Sequence, residues 1–133
     1  MSATALAATS HDTQGRLAPA IARHADLLRD IFAGIAINAT HSTHPRVVAA
    51  LREQLGAQVI VHPQDEATIG RARRDAVRLA LESEAQAILY CDLDHLTRWA
   101  EGNPDELRAT VAAQPGAEFL VVGRSAKDRK SVV

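Results

Sequence analysis

The most constraining feature of this sequence is a regular alternation of short apolar segments with longer segments of helical periodicity. Four apolar segments begin about 25 to 31 residues apart, at residues 32–39, 57–62, 86–91 and 117–122. Such spacing is typical of β-α-β crossovers and a parallel sheet. The segments are apolar throughout rather than alternating, which favours a sheet covered on both faces. We therefore predict an α/β fold, a three-layer α/β/α sandwich with a mostly parallel, Rossmann-like sheet.

The length of 133 residues suits one domain. We assign residues 16–125 to a single α/β domain. Residues 1–15 are rich in Ala, Thr and Ser and are predicted to form a flexible N-terminal arm. Residues 126–133 are predicted to form a polar tail.

Composition excludes several classes of protein. Fifteen Lys and Arg stand against sixteen Asp and Glu, and only 3% of residues are aromatic, so we expect no nucleic-acid partner. One Cys rules out an internal disulfide framework and suits a reducing compartment, so we expect a cytoplasmic protein. The sequence contains no apolar run long enough to span a membrane and no signal-peptide pattern at its start.

Two carboxylates follow the third apolar segment. Asp92 and Asp94 are two residues apart, so on a continuing strand both side chains would point to the same side. Ligands in open parallel sheets bind beyond the carboxyl ends of the strands, and Mg²⁺ or Mn²⁺ takes one or two protein carboxylates plus substrate phosphates. In the alternative, Asp94 only caps the following helix and Asp92 is a solvated loop residue.

A cluster of arginines opens the predicted helix over residues 69–83. Arg71, Arg73 and Arg74 fall in its first turns after Gly70, where cations oppose the helix macrodipole. A bound anion would reverse that penalty, since both arginines and helix N-termini bind phosphate. In the alternative, the cluster is a solvated helix face that pairs with Asp75.

Together these two motifs resemble a known family. Residues 69–76, IGRARRDA, are followed after one helix by AILYCDLD at residues 87–94. This combination is similar to the donor-binding half of family-2-like, GT-A-fold glycosyltransferases, which open a helix with G-x-A-R-N/R-x-A and end the next strand in a D-x-D motif. The resemblance covers roughly residues 33–125. It implies a metal-dependent glycosyltransferase that uses a nucleoside-diphosphate sugar and an acceptor that the sequence does not identify.

The resemblance also implies roles for individual residues. Asp92 and Asp94 would hold a Mn²⁺ or Mg²⁺ ion that bridges the diphosphate. The nucleotide sugar would further contact Thr40, His41, Asp65, Gly70, Arg71 and Arg74. The sequence departs from the family at the end of the second apolar segment, where His62 and Pro63 stand in place of an acidic residue. The acceptor half, which supplies the catalytic base, has no counterpart, so no catalytic residue is assigned and we expect an apparently truncated, self-associating donor domain.

Other functions remain as alternatives. The segment LYCDLD at residues 89–94 also resembles the first motif of haloacid-dehalogenase-like phosphatases, in which Asp92 would be the nucleophile and Asp94 the acid or base. That motif normally opens its fold, whereas here only 39 residues follow Asp94. A receiver-like module would need an acidic pair after the first strand. A non-catalytic nucleotide-binding domain is a further alternative.

Overall fold

The computed structural model describes residues 4–62, 69–82, 85, 87–112 and 119–121. These residues include five strands, β1 (Thr4–Ser10), β2 (Gly34–Thr40), β3 (Gln58–His62), β4 (Ala87–Tyr90) and β5 (Phe119–Val121). The strands form one parallel sheet in the order β3-β2-β1-β4-β5. The predicted α/β sandwich with a parallel sheet is confirmed.

Helices connect the strands as the sequence periodicity predicts. They are α1 (Leu17–Ile31), α2 (Pro45–Ala49), α3 (Ile69–Leu81), α4 (Leu93–Gly102) and α5 (Pro104–Ala112). A π-helical turn, Ala50–Gln54, continues α2. Within the described residues, no helix is long and apolar enough to cross a membrane.

The prediction of a flexible arm over residues 1–15 is wrong for residues 4–10. Residues 4–10 form β1, the central strand of the sheet, which pairs with β2 on one side and β4 on the other. Its side chains are almost all buried, and Leu6, Ala7 and Ala8 are fully inaccessible to solvent. Because a strand enclosed in this way is buried on both faces and at both edges, small apolar side chains are enough to hold it in the sheet. The predicted tail, residues 126–133, lies outside the described residues.

Two unequal cores hold the layers together. Leu6, Ile37 and Leu89 lie in the larger core, where their sheet face packs against α1, the α2–π segment, α4 and α5. On the opposite face, α3 packs closely on the sheet through Ala76 and Ala80. Among the described elements, α3 alone covers that face.

The strand order places a topological switch point between β1 and β4. From β1 the chain moves outward to β2 and β3, and then returns across the sheet through α3 to β4 on the other side of β1. Loops that leave the two neighbouring strand ends therefore diverge, which opens a crevice at the carboxyl edge of the sheet. The backbone N–H of Cys91 donates to the carbonyl of Ala7 and extends the β1–β4 pairing to the floor of this crevice.

Candidate functional site

A cleft of about 490 Å³ lies at the switch point. Its walls come from the ends of β1, β2 and β4 and from the first turns of α1, α3 and α4. The lining residues are Thr9, Ser10, His11, Asp12, Arg16, Leu17, Thr40, Ala72, Arg73, Asp92 and Asp94. Both members of the predicted D-x-D pair thus face the same cavity.

Asp92 is fixed by side chains from two strands. Its Oδ1 accepts hydrogen bonds from the Tyr90 hydroxyl at 2.9 Å and from Thr9 Oγ1 at 3.2 Å, and those two hydroxyls are 2.8 Å apart. Asp92 occupies the N-cap position of α4, but its carboxylate makes no capping hydrogen bond. Because it is half-buried and oriented by Oδ1 alone, it is not the solvated loop residue of the alternative interpretation.

Asp94 is held differently from the sequence-based expectation. The strand ends at Tyr90 and α4 begins at Leu93, so Asp94 lies on a helix and the alternation of strand side chains does not apply. Its Oδ1 accepts from the backbone N–H of His95 at 2.9 Å, and its Oδ2 lies 3.3 Å from the guanidinium of Arg98. The capping alternative therefore describes part of what Asp94 does, although its side chain is 61% exposed and still lines the cleft.

The loop between β1 and α1 is closed around Asp12. Asp12 Oδ1 accepts from the backbone N–H groups of Gln14 and Gly15, and its Oδ2 accepts from that of Leu17 at 2.8 Å. Partial burial acts to raise the pKa of Asp12, but these backbone donors outweigh it and lower the pKa below the usual value. Because Asp12 already occupies these amides, a ligand phosphate would not find them free.

Gly15 is required by the same loop. Its φ of +77° lies in the left-handed region, and a Cβ there would meet the Cγ of His44 at 3.2 Å. The backbone N–H of His44 also donates to the carbonyl of Asp12 at 2.8 Å. The loops after β1 and β2 are therefore locked together on this side of the cleft.

Buried hydroxyls line the other part of that wall. Thr40 Oγ1 lies 2.8 Å from His11 Nδ1 and 3.0 Å from Thr43 Oγ1, and Thr43 in turn donates to the carbonyl of Ser10. The Ser10 hydroxyl is buried and finds no hydrogen-bond partner in the part of the chain that the structure describes. Thr40, predicted from the family resemblance, thus lies in the cleft, next to polar residues that the sequence analysis assigned to an arm.

The remaining predicted residues are distributed unevenly. His41 is exposed after the end of β2 and is not among the residues that line the cleft. Gly70 lies in the first turn of α3. Asp65 lies outside the described residues, so its predicted role stays a prediction.

The arginines of α3 divide between the cleft and solvent. Arg73 lines the cleft, and its charge acts on the Tyr90 hydroxyl. Arg71 and Arg74 were predicted to contact the nucleotide, but they are exposed and do not line the cleft. The cause is helix phase, because Ala72 and Ala76 face the sheet and leave Arg71 and Arg74 on the opposite side of the helix.

The groups next to Asp92 remain protonated near neutral pH. Burial, followed by the charge of Asp92, raises the pKa of the Cys91 thiol well above its usual range. Burial also raises the pKa of Tyr90, and the Thr9 hydrogen bond and the Arg73 charge only partly oppose this. Cys91 is therefore a buried apolar residue rather than a nucleophile, and Tyr90 is a hydrogen-bond donor to Asp92.

Sequence reasoning missed Thr9, Ser10, His11, Asp12 and Arg16, and it included Arg73 only as a member of the arginine cluster at the start of α3. The signal that could have revealed the first four is spacing, since the apolar run at residues 5–8 precedes the next strand by an interval similar to those between the other strands. Alanine is depleted in strands, and this obscured the pattern.

Among the described residues, no group of three or more His, Cys, Asp or Glu side chains is arranged to hold a metal ion. Comparison with models of protein families, with curated proteins and with solved structures gives no match.

Proposed function

We propose that the cleft binds a nucleoside diphosphate sugar together with a divalent cation, and that this chain is the donor-binding part of a GT-A-type glycosyltransferase. The observation that carries the proposal is the meeting of Asp92, Asp94 and Arg73 at the switch point of a parallel sheet. Two carboxylates suit a hard cation, and a guanidinium suits a phosphate.

The end of β2 supports the same proposal. The resemblance implies that the strand ending in Thr40 and His41 receives the nucleobase, and Thr40 at the end of β2 lines the cleft. The departure from the family pattern at His62 falls at the end of β3.

The carboxylates of the cleft suit a divalent cation whose remaining coordination positions are filled by the substrate. Asp92 Oδ1 is occupied by two hydroxyl donors, which leaves Oδ2 for a metal ion. Mg²⁺ and Mn²⁺ bind through one or two carboxylates plus phosphate oxygens and water, so a third protein ligand is not needed. When bound, such an ion would offset the charge that develops on the departing nucleoside diphosphate.

The chain's own residues would orient the donor. Tyr90 and Thr9 fix the Asp92 carboxylate, while Arg73 and Arg16 supply positive charge on the cleft walls. Asp12 accepts from the backbone N–H of Leu17, the first residue of α1, and so would direct the diphosphate away from that helix terminus. We assign no catalytic base.

The phosphatase alternative is less favoured by the order of strands. Its acidic motif normally opens the fold, whereas Asp92 follows the fourth strand of this sheet. A receiver-like function would need an acidic pair after the first strand. Asp12 is the single acid in the loop that follows β1, and its carboxylate is bound by backbone amides.

The test is calorimetric titration with UDP and GDP, with and without Mn²⁺. We expect metal-dependent binding that Asp92→Asn abolishes, because this variant keeps the shape of the side chain and removes its charge. Asp26→Asn is the matched control, since that carboxylate is exposed on α1 and is not part of the cleft. Metal-independent binding, or an unaffected Asp92→Asn variant, would overturn the metal assignment.

A second pair of variants tests the phosphate contact. Arg73→Gln should weaken diphosphate binding about 10- to 100-fold, the loss expected for a charge-assisted hydrogen bond of about 1.5–3 kcal/mol. Arg71→Gln removes the same charge from the exposed side of the same helix and should leave the affinity unchanged. Equal losses in both variants would contradict a specific role for Arg73.

A further inference from the structure

The outer surface of α3 carries a basic ridge formed by Arg71, Arg74 and Arg78. All three side chains are exposed, and their spacing of three and four residues puts them on one stripe of the helix. The stripe lies opposite the alanines that pack on the sheet. Leu81, three residues beyond Arg78, continues it, and its side chain is 66% exposed.

The described part of the chain places no ion-pair partner on this ridge. Among the described residues, no carboxylate forms an ion pair with Arg71, Arg74 or Arg78, whereas Arg23, Arg29, Arg98 and Arg108 on other helices all have acidic partners. Asp75 lies on the flank of α3 and is half-buried. Arg46 and Arg52, on α2 and the π-helical turn, also form no ion pair with a described residue, but of the described helices only α3 sets three such arginines along one stripe.

The location of α3 on the sheet explains why the ridge is exposed. Because α3 alone among the described elements covers its face of the sheet, the ridge is the outermost part of that side as far as the described residues extend. From Arg71 to Leu81 the stripe runs about 15 Å along the helix axis, at 1.5 Å per residue. Three exposed guanidinium groups are followed by exposed Leu81 and exposed Glu82, so the surface is cationic along most of its length and carries one apolar and one acidic side chain at its end.

We propose that this ridge docks the protein on a membrane surface that carries anionic lipid headgroups. Arginine side chains suit phosphate headgroups, and their apolar stems, with Leu81, suit the headgroup–acyl boundary. A nucleic acid fits less well because the ridge offers no aromatic side chain for base stacking. This docking surface is separate from the cleft, so the proposal does not depend on nucleotide binding.

The test is co-sedimentation of the full chain with phosphatidylcholine vesicles that do or do not contain phosphatidylglycerol, at low ionic strength. We expect binding only to the anionic vesicles, and release as salt screens the attraction. The triple variant Arg71→Gln, Arg74→Gln, Arg78→Gln should bind about a hundredfold more weakly, at about fivefold per cation near the surface.

A charge-matched control removes three arginines from the opposite layer. The control combines Arg29→Gln in α1, Arg46→Gln in α2 and Arg52→Gln in the π-helical turn. This triple variant should bind the vesicles with the affinity of the wild type. Leu81→Gln should also weaken binding to the vesicles, and the size of this loss should not depend on salt concentration because the change removes an apolar contact rather than a charge. The proposal is overturned by absence of binding to anionic vesicles, by equal losses in both triple variants, or by binding to single-stranded RNA but not to vesicles.

Discussion

At the scale of single residues, the cleft depends on side chains that are held by hydrogen bonds before any ligand arrives. Asp92 is oriented by Tyr90 and Thr9, and Asp12 by the amides of its own loop. Orienting groups in advance lowers the entropy that binding would otherwise lose. The two aspartates therefore divide their roles, since Asp12 stabilises the loop and Asp92 presents a carboxylate to the cavity.

The lowered pKa of Asp12 makes its stabilising role depend on pH. A carboxyl whose pKa is lower in the folded state than its ordinary value of 3.8 stabilises the fold above that value. This stabilisation is lost as the pH falls through the folded-state pKa. Near neutral pH, Asp12→Ala should reduce the free energy of unfolding by about 1–2 kcal/mol, comparable to the loss of a helix cap.

Urea unfolding at a series of pH values checks this prediction. The difference between Asp12→Ala and the wild type should shrink as the pH falls below 3.8, because the protonated carboxyl no longer accepts strongly from the amides. A difference that stays constant down to strongly acidic pH would show that the carboxylate charge has no part in the stability of the loop.

At the scale of single elements, periodicity predicted the helices well and composition concealed one strand. Leu17, Ile21, Ala25 and Leu28 specify α1 because a helix must bury one stripe, and the structure buries three of them fully or nearly so. β1 carries no such signature, because alanines at residues 5, 7 and 8 have low strand propensity. Its strand conformation follows from enclosure between β2 and β4, which is a tertiary effect.

The central position of β1 predicts the effect of removing it. Deletion of residues 1–10 would leave β2 and β4 without the strand that lies between them, so the truncated chain should lose cooperative thermal unfolding. The point variant Leu6→Ala should lower the free energy of unfolding by about 2–5 kcal/mol, because this side chain is completely buried.

Leu81→Ala is the control for this series, since the same side chain is removed from an exposed position. Its effect on the free energy of unfolding should be within about 0.5 kcal/mol. A deletion variant that melts as cooperatively as the full chain would restore the interpretation of these residues as a flexible arm.

At the scale of the whole molecule, the location of the site follows from strand order. The sequence alone predicted that Asp92 and Asp94 lie at one end of the sheet, because two carboxylates two residues apart after an apolar segment can be recognised without a structure. For the nucleotide contact, the sequence analysis predicted Arg71 and Arg74 rather than Arg73, because the sequence does not show which stripe of α3 faces the sheet. The switch point itself could not be located without β1, since the strand that defines it had been assigned to an arm.

The central claim is that the cleft between β1 and β4 is the ligand site. It is tested most directly by amide NMR spectra of the ¹⁵N-labelled protein with UDP or GDP, recorded before and after addition of Mn²⁺. Paramagnetic broadening should be strongest for Ser10, His11 and Leu93 and should spare Gly34 and Gln58 at the opposite end of the sheet. Broadening centred away from Asp92, or none at all with either nucleotide, would contradict the account.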